Sequence, residues 1–274
     1  MKNTVWTYWE NPKGVSDEPA YITLCRWTML HNLHSSTLVA VNPENLDKYL
    51  PGMTSRLEGV QAHARGRLDK AKRIVKGDTR SLAIKCDVIR AHLLKLYGGF
   101  YIDSDAIVLN DLKPYFDLLD QYEFAIVKRA SHGKSHVSVN FYGSRPFGEL
   151  ISRYTAAQTD AISRRKIFDF TGLGDTTLNP IVDDHQDGIY YIPEREVQAV
   201  TYEESEAMLL SRDLTPEDVI KGNESVFMLY KGIFQNQLKG ISLQDLYYGD
   251  MLVSRVYRRA LPEEKFKQYL NSAF

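Results

Sequence analysis

The chain has 274 residues, with 34 Lys plus Arg against 35 Asp plus Glu and a formal net charge of −1. Hydrophobic residues make up 43% and charged residues 25%, which excludes intrinsic disorder and argues against a dedicated duplex-DNA binder, normally strongly basic. The length suits one large domain, residues 1–274, and two cysteines, Cys25 and Cys86, cannot build a disulfide scaffold.

The cysteines suit a reducing compartment. Met1 to Glu10 lacks a continuous apolar segment, so no signal peptide is expected. The longest stretch without a formal charge, Trp27 to Pro43, holds two His, two Asn, two Ser and two Thr and is not a membrane span. The expectation is a cytoplasmic protein, with peripheral contact at the inner face of the membrane and no nucleic-acid partner. The sequence leaves the oligomeric state open.

Thr4 to Trp9 is β-branched and aromatic and reads as a first strand, closed by Asn11-Pro12-Lys13-Gly14. Ala20 to Asn32 has apolar residues at helical spacing, and Thr37 to Val41 reads as a short buried strand before a turn at Asn42 to Asn45. A strand, helix, strand opening points to an α/β sheet. Arg65 to Arg80 carries seven Lys or Arg, a solvated face or a positive rim near a phosphate or anionic membrane. Ser81 to Tyr97 is the clearest helix, with Cys86, Ile89, Leu93, Leu96 and Tyr97 as its apolar face and Gly98-Gly99 as its stop. Phe100–Ile102, Ile107–Leu109, Tyr122–Val127, Ser138–Tyr142 and Ile189–Ile192 read as strands, and Leu243 to Leu270 as helix broken at Pro262.

Asp103-Ser104-Asp105 follows an apolar strand. Carboxylates near a core are costly unless paired or bound to a cation, and hard oxygen ligands suit Mg²⁺ or Mn²⁺ with substrate phosphates completing the shell. Asp87 and Arg90, three apart, share one helix face away from the apolar stripe. They read either as a surface ion pair or as a grip at the mouth of a site.

Lys85-Cys86-Asp87-x-x-Arg90, then Leu94-x-x-Tyr97-Gly98-Gly99-x-Tyr101-x-Asp103-x-Asp105, resembles the signature of the DXD-containing sugar transferases. This family includes capsular polysaccharide synthesis transferases and initiating mannosyltransferases, and more remotely the large clostridial glucosylating toxins. Weaker similarity lies in Val5 to Trp9, in Pro19 with the Cys25 helix, and in Asn45-Leu46 with Tyr49-Leu50. It continues in Val139-Asn140 with Phe147 and in Thr171-Gly172. The resemblance implies a GT-A fold, Rossmann-like and mostly parallel, with a nucleotide-sugar donor, a divalent cation and a saccharide or glycolipid acceptor. It also implies retention of anomeric configuration. By matching position, Asp105 is the implied metal ligand. Asp103 is implied to contact metal, ribose or sugar, and Asp87 and Arg90 to grip the donor sugar. Trp6 or Trp9, beside Tyr8, is implied to stack on the base, the alternative being core packing; Asn140 is a further implied donor contact, and Lys231 either a contact to the diphosphate or a solvated lysine.

The sequence also departs from the family. Met228 stands where a late His near the metal is expected, although Leu229-Tyr230-Lys231 resembles the capsule branch. His185 is an alternative ligand, or simply a loop residue. Gly172-Leu173-Gly174-Asp175 reads as a mobile loop over the donor. Competing functions are a toxin-like transferase acting on protein, a metal-dependent phosphohydrolase and a silent sugar-binding protein.

Overall fold

The computed structural model describes residues 3–63, 79–131, 134–185, 187–222, 224–230, 237–238 and 240–272. Lys231 and nearly all of the basic run after Arg65 lie outside the described residues. The strands are β1 (Thr4–Tyr8), β2 (Thr37–Val41), β3 (Gln61–Ala62), β4 (Gly99–Ile102) and β5 (Ala106–Val108). They continue with β6 (Phe124–Ser131), β7 (Lys134–Ser144), β8 (Ile167–Phe168), β9 (Ile189–Pro193) and β10 (Val226–Met228). The longer helices are α1 (Ala20–Asn32), α2 (Thr79–Tyr97), α3 (Glu149–Arg164) and α4 (Asp175–Asp184). Near the C-terminus come α5 (Leu243–Tyr248), α6 (Leu252–Ala260) and α7 (Glu263–Ser272).

A six-stranded sheet of order β2-β1-β4-β7-β6-β9 forms the centre. β1 runs parallel to β2, from Thr4 opposite Thr37 to Tyr8 opposite Val41, and parallel to β4, with Trp6 opposite Tyr101. β7 is antiparallel to both β4 and β6, and β9 returns parallel to β6, so five strands share one direction. Alternation along the strands divides the core. Trp6, Tyr8 and Tyr101 face one cluster with residues of α2 and α3, while Val5, Phe100 and Ile102 face another with Met29 of α1 and Leu33 just after it. The opposite stretch of α1, through Tyr21, Ile22, Leu24 and Cys25, joins the C-terminal helices in a third cluster, where Tyr247 stacks on Phe266 at 3.9 Å. Among the described residues no helix is long and apolar enough to cross a membrane.

α1 and β2 have the bounds the sequence predicts, and the other predicted elements shift by a few residues at their ends. The C-terminal stretch has a second break, where Gly249 lets Asp245 and Ser254 approach: a Cβ there would stand 2.8 Å from the Asp245 carbonyl and the Ser254 hydroxyl. The buried face of α2 keeps Ile89 and Leu93 of the predicted stripe but not its C-terminal end, and it is wider. Leu96 and Tyr97 are 38% and 44% exposed, while Ile84, Val88, Ile89, Ala91, Leu93 and Leu94 are fully buried. The helix packs on the sheet and on α3 together, so burial covers two sides of it.

Gly98 and Gly99 end α2 at φ +66° and +94°, the left-handed region that reverses the chain directly into β4. A side chain at Gly99 would collide with the Thr4 carbonyl of the neighbouring strand. Gly99→Ala is therefore expected to destabilise the fold by about 3 kcal/mol. Urea denaturation with an unchanged slope checks this; a loss below about 1 kcal/mol would contradict it.

Candidate active site

β1 and β4 run in one direction and finish side by side, and the acidic triplet follows β4 at that edge. The Ala106 amide donates to the Asp103 carbonyl at 3.2 Å, closing a tight turn that carries both aspartates. Contacts from four places fix this turn: the end of β1, Asn140, Leu229 and Arg90. Ser104 is buried, and its hydroxyl donates to the Tyr8 carbonyl at 2.6 Å and meets the Thr7 hydroxyl at 2.9 Å. The Asp103 amide donates to the Asn140 carbonyl at 2.9 Å, and the Leu229 amide donates to the Asp105 carbonyl at 3.1 Å. The fourth is Arg90, whose Nη1 lies 3.1 Å from Asp103 Oδ1.

Arg90 comes from the buried side of α2. Its Nη2 donates to Asp87 Oδ1 at 2.7 Å, and Nη1 also donates to the Val139 carbonyl. The guanidinium lies 5.1 Å from the Tyr101 ring centroid. Asp87 and Arg90 are each only 5% exposed, which overturns the surface ion-pair reading. Nor does the pair stand open at a mouth: Gly174 closes on the second Asp87 oxygen, where a Cβ would come within 2.6 Å. Burial pushes the Asp87 carboxyl up to about 7; Arg90 pulls it down, while Asp175 and Asp103 push it further up.

β7 supplies its part through a bulge. Ile126 pairs with Tyr142, but the next residue, Val127, pairs with Ser138, leaving Val139 to Phe141 without partners on β6. The freed groups turn to the site. The Val139 carbonyl receives Arg90, its amide donates to Asp175 Oδ1 at 3.3 Å, and the Asn140 carbonyl receives Asp103. The Asn140 side chain accepts from Ser138 at 2.8 Å and from Gln198 at 3.3 Å, and Gln198 in turn accepts from the Tyr230 hydroxyl at 2.7 Å.

Asp87, Arg90, Asp103, Asp105 and Asn140 thus come together, with Tyr8 adjoining through its carbonyl. Trp6 does not join them. It is core, packed on Tyr49 and Tyr97, and its indole donates to the Gly98 carbonyl at the opposite end of β4. The Tyr8 ring is also buried, its hydroxyl on Glu10. Trp9, just past β1, is half-buried, its indole donating to Asn11 at 2.8 Å. His185 stands 3.5 Å from Glu123, which precedes β6 at the other edge of the sheet, so it does not reach the triplet. Met228 pairs with Ala106 beside the triplet, but its side chain is buried in the core. The Gly172 to Asp175 segment is anchored rather than loose: Leu173 is fully buried and its carbonyl accepts from Tyr154 and Gln158, both at 2.7 Å. Asp175 and Gln198 are missed by the sequence reading; an acid opening a helix after the Gly172-x-Gly174 turn is the only signal for the first, and a lone buried amide gives none for the second.

Past the end of β1 lies a cavity of about 580 Å³, with Glu10, Asn11, Lys13, Gln61, Ser81 and Lys85 among its walls. Among the described residues no group of three or more acidic, His or Cys side chains converges as a metal cage. Two half-exposed carboxylates on one turn fit a hard divalent ion that brings phosphate and water oxygens of its own.

The family model for the glycosyltransferase sugar-binding region containing a DXD motif matches residues 29–125. No curated protein matches the sequence. Among solved structures, the apo form of the glycosyltransferase GlyE of Streptococcus pneumoniae TIGR4 superposes with a TM-score of 0.51 at 12% identity, over all of this chain and 64% of its own. Mouse xyloside xylosyltransferase 1 gives 0.47 at 9% identity, over 85% of this chain and 99% of its own. PaToxG glycosyltransferase gives 0.45 at 12%, over 95% and 86%. At such identities the GlyE likeness speaks for the fold alone, and this chain spans slightly under two thirds of GlyE's length. The chain thus has a GT-A type fold, and its residues 29–125 are similar to the sugar-binding region of the DXD-containing glycosyltransferases.

Proposed function

We propose that this chain is a glycosyltransferase that moves a sugar from a nucleotide-diphosphate sugar, a UDP-sugar foremost, to a saccharide or glycolipid acceptor in surface polysaccharide synthesis. The observation that carries this reading is the acidic turn. Its two carboxylates stand half-exposed at the strand-end edge of a mostly parallel sheet, where open α/β folds bind ligands, and the turn is held by the end of β1, Asn140, Leu229 and Arg90. The resemblance of Leu229-Tyr230-Lys231 to the capsule branch is what points to polysaccharide synthesis.

Asp105, with Asp103, would hold Mn²⁺ or Mg²⁺ on the diphosphate, and the ion would supply charge neutralisation of the leaving group. The chain's own residues do the positioning. The buried Arg90 holds the half-exposed Asp103 in one orientation through an ion pair, and Ser104 fixes the turn to β1. The cavity past β1 is the proposed place for the nucleoside; Trp9 is not among its walls and packs instead on the cluster of α1 and the C-terminal helices. Asp87 and Asp175, the acids next to this turn, are engaged with Arg90 and the Val139 amide and are not presented as nucleophiles. The family resemblance implies retention, and with no acid presented as nucleophile the proposed route is same-face attack assisted by the leaving phosphate. A covalent sugar adduct trapped on an Asp or Glu would overturn it.

Incubation with Mn²⁺ and a panel of nucleotide-sugars is expected to show slow donor hydrolysis that falls by about a hundredfold or more in Asp105→Asn. Phosphate release from simple monoesters without sugar release would instead favour a phosphohydrolase.

Asp87 makes stability depend on pH in a definite direction. Its folded pKa is raised, so its stabilising contribution is complete below about pH 4, its unfolded range, and is lost as pH rises through about 7. Asn at this position mimics the neutral acid. In metal-free buffer the stability of Asp87→Asn relative to wild type is expected to rise by about 2 kcal/mol between pH 5 and pH 8. Urea titrations at both pH values measure it, and a relative stability that falls over that interval would refute the raised pKa.

A further inference from the structure

Arg90 and Asp103 do not set their own positions. The Val139 carbonyl that receives Arg90 belongs to the β7 bulge, a stretch with no partners on β6. Two side chains of α4, one helical turn apart, hold it and the strand just before it: Asp175 accepts the Val139 amide at 3.3 Å, and Asn179 accepts the amide of Val137, which still pairs with Lys128 on β6, at 2.9 Å. The residue before α4, Gly174, closes on Asp87 from the side opposite Arg90, where a Cβ would stand 2.6 Å from Oδ2. Its own neighbour Leu173 is fixed by Tyr154 and Gln158, and Gln158 also donates to the Asp87 carbonyl at 3.0 Å.

We propose that Gly174 and Asp175 are positioning residues for the reaction: this one turn sets the Arg90 guanidinium, and through it Asp103, by closing on Asp87 and by clamping the bulge that carries Val139 and Asn140. The inference rests on the glycosyltransferase reading for its effect on turnover, but not for its geometry. The element lies behind the site, and its residues reach the reacting groups only through Arg90 and the bulge. Glycine at 174 has a specific purpose here. An added methyl group would not unfold the chain, because the Asp87 carboxylate can swing aside. That swing breaks the Asp87 to Arg90 bond. Asp175 has a matching logic: Asn keeps an oxygen for the Val139 amide, whereas Ala removes it.

The test uses the full chain with Gly174→Ala, Asp175→Ala and Asp175→Asn. The first readout is the ¹⁵N NMR spectrum of arginine side chains at low temperature. In wild type the Arg90 guanidinium, held by Asp87, Asp103 and the Val139 carbonyl, is expected to show slowly exchanging protons, distinct from exposed arginines. Gly174→Ala and Asp175→Ala should lose or shift this signal while the rest of the spectrum stays folded, and Asp175→Asn should keep it. The second readout is turnover per folded molecule of whichever nucleotide-sugar wild type hydrolyses fastest with Mn²⁺. It is expected to fall at least about tenfold in the first two variants, with a changed KM, and to recover in Asp175→Asn. An unmoved Arg90 signal in both Gly174→Ala and Asp175→Ala overturns the proposal. So does a kcat that falls only in proportion to folded protein with KM unchanged, the mark of a merely structural role. If wild type hydrolyses no nucleotide-sugar, the glycosyltransferase reading falls, and the Arg90 spectrum alone upholds or overturns the placement.

Discussion

One buried guanidinium organises this site. Arg90 is enclosed by the helix that carries it, the bulge of β7 and the acidic turn, and it bonds to Asp87, Asp103 and the Val139 carbonyl. A charge so far from water is tolerable only when its donors are matched, and losing any one partner leaves the others facing an unbalanced cation. The helix, the bulge and the turn are therefore interdependent. Burial raises the Asp87 carboxyl to about 7 against the pull of Arg90, with Asp175 and Asp103 adding to the rise, so the balance of charge around the guanidinium depends on pH.

The same constraint explains the irregularity of β7. A regular ladder with β6 would continue past the Ile126–Tyr142 pair and occupy Val139. Left without a partner there, Val139 turns its carbonyl to Arg90 and its amide to Asp175, while the Asn140 carbonyl extends the pairing with β4 by receiving the Asp103 amide. The sheet gives up ladder hydrogen bonds in one place and recovers them as contacts that shape the site.

Much of this was legible in the sequence where it depends on local chemistry. The first strand, α1 and β2, the double glycine after α2 and the acidic triplet all follow from residue type and spacing. The depth of Asp87 and Arg90 did not, because a helical period locates one apolar face. It cannot reveal that α3 covers a second face and takes the polar pair inside. Trp6 was misplaced for a related reason. β-strand alternation gives its side of the sheet, but only the packing of Tyr49 and Tyr97 shows that its indole leans to the far end of the strand. The bulge and the Asp175 clamp depend on register between distant segments, which no local pattern encodes.

The middle residue of the triplet has a consequence of its own. Because the Ser104 hydroxyl is shared between the Tyr8 carbonyl and the Thr7 side chain, the turn and the end of β1 move as one body. The wall of the neighbouring cavity begins two residues further on, at Glu10. A ligand long enough to touch both places meets a ruler of fixed length. Once one end is seated, the other is presented at high effective concentration without further loss of freedom. Discrimination then falls on ligand length: a molecule too short to span from cavity to turn gains only one of the two contacts, however well its single end fits.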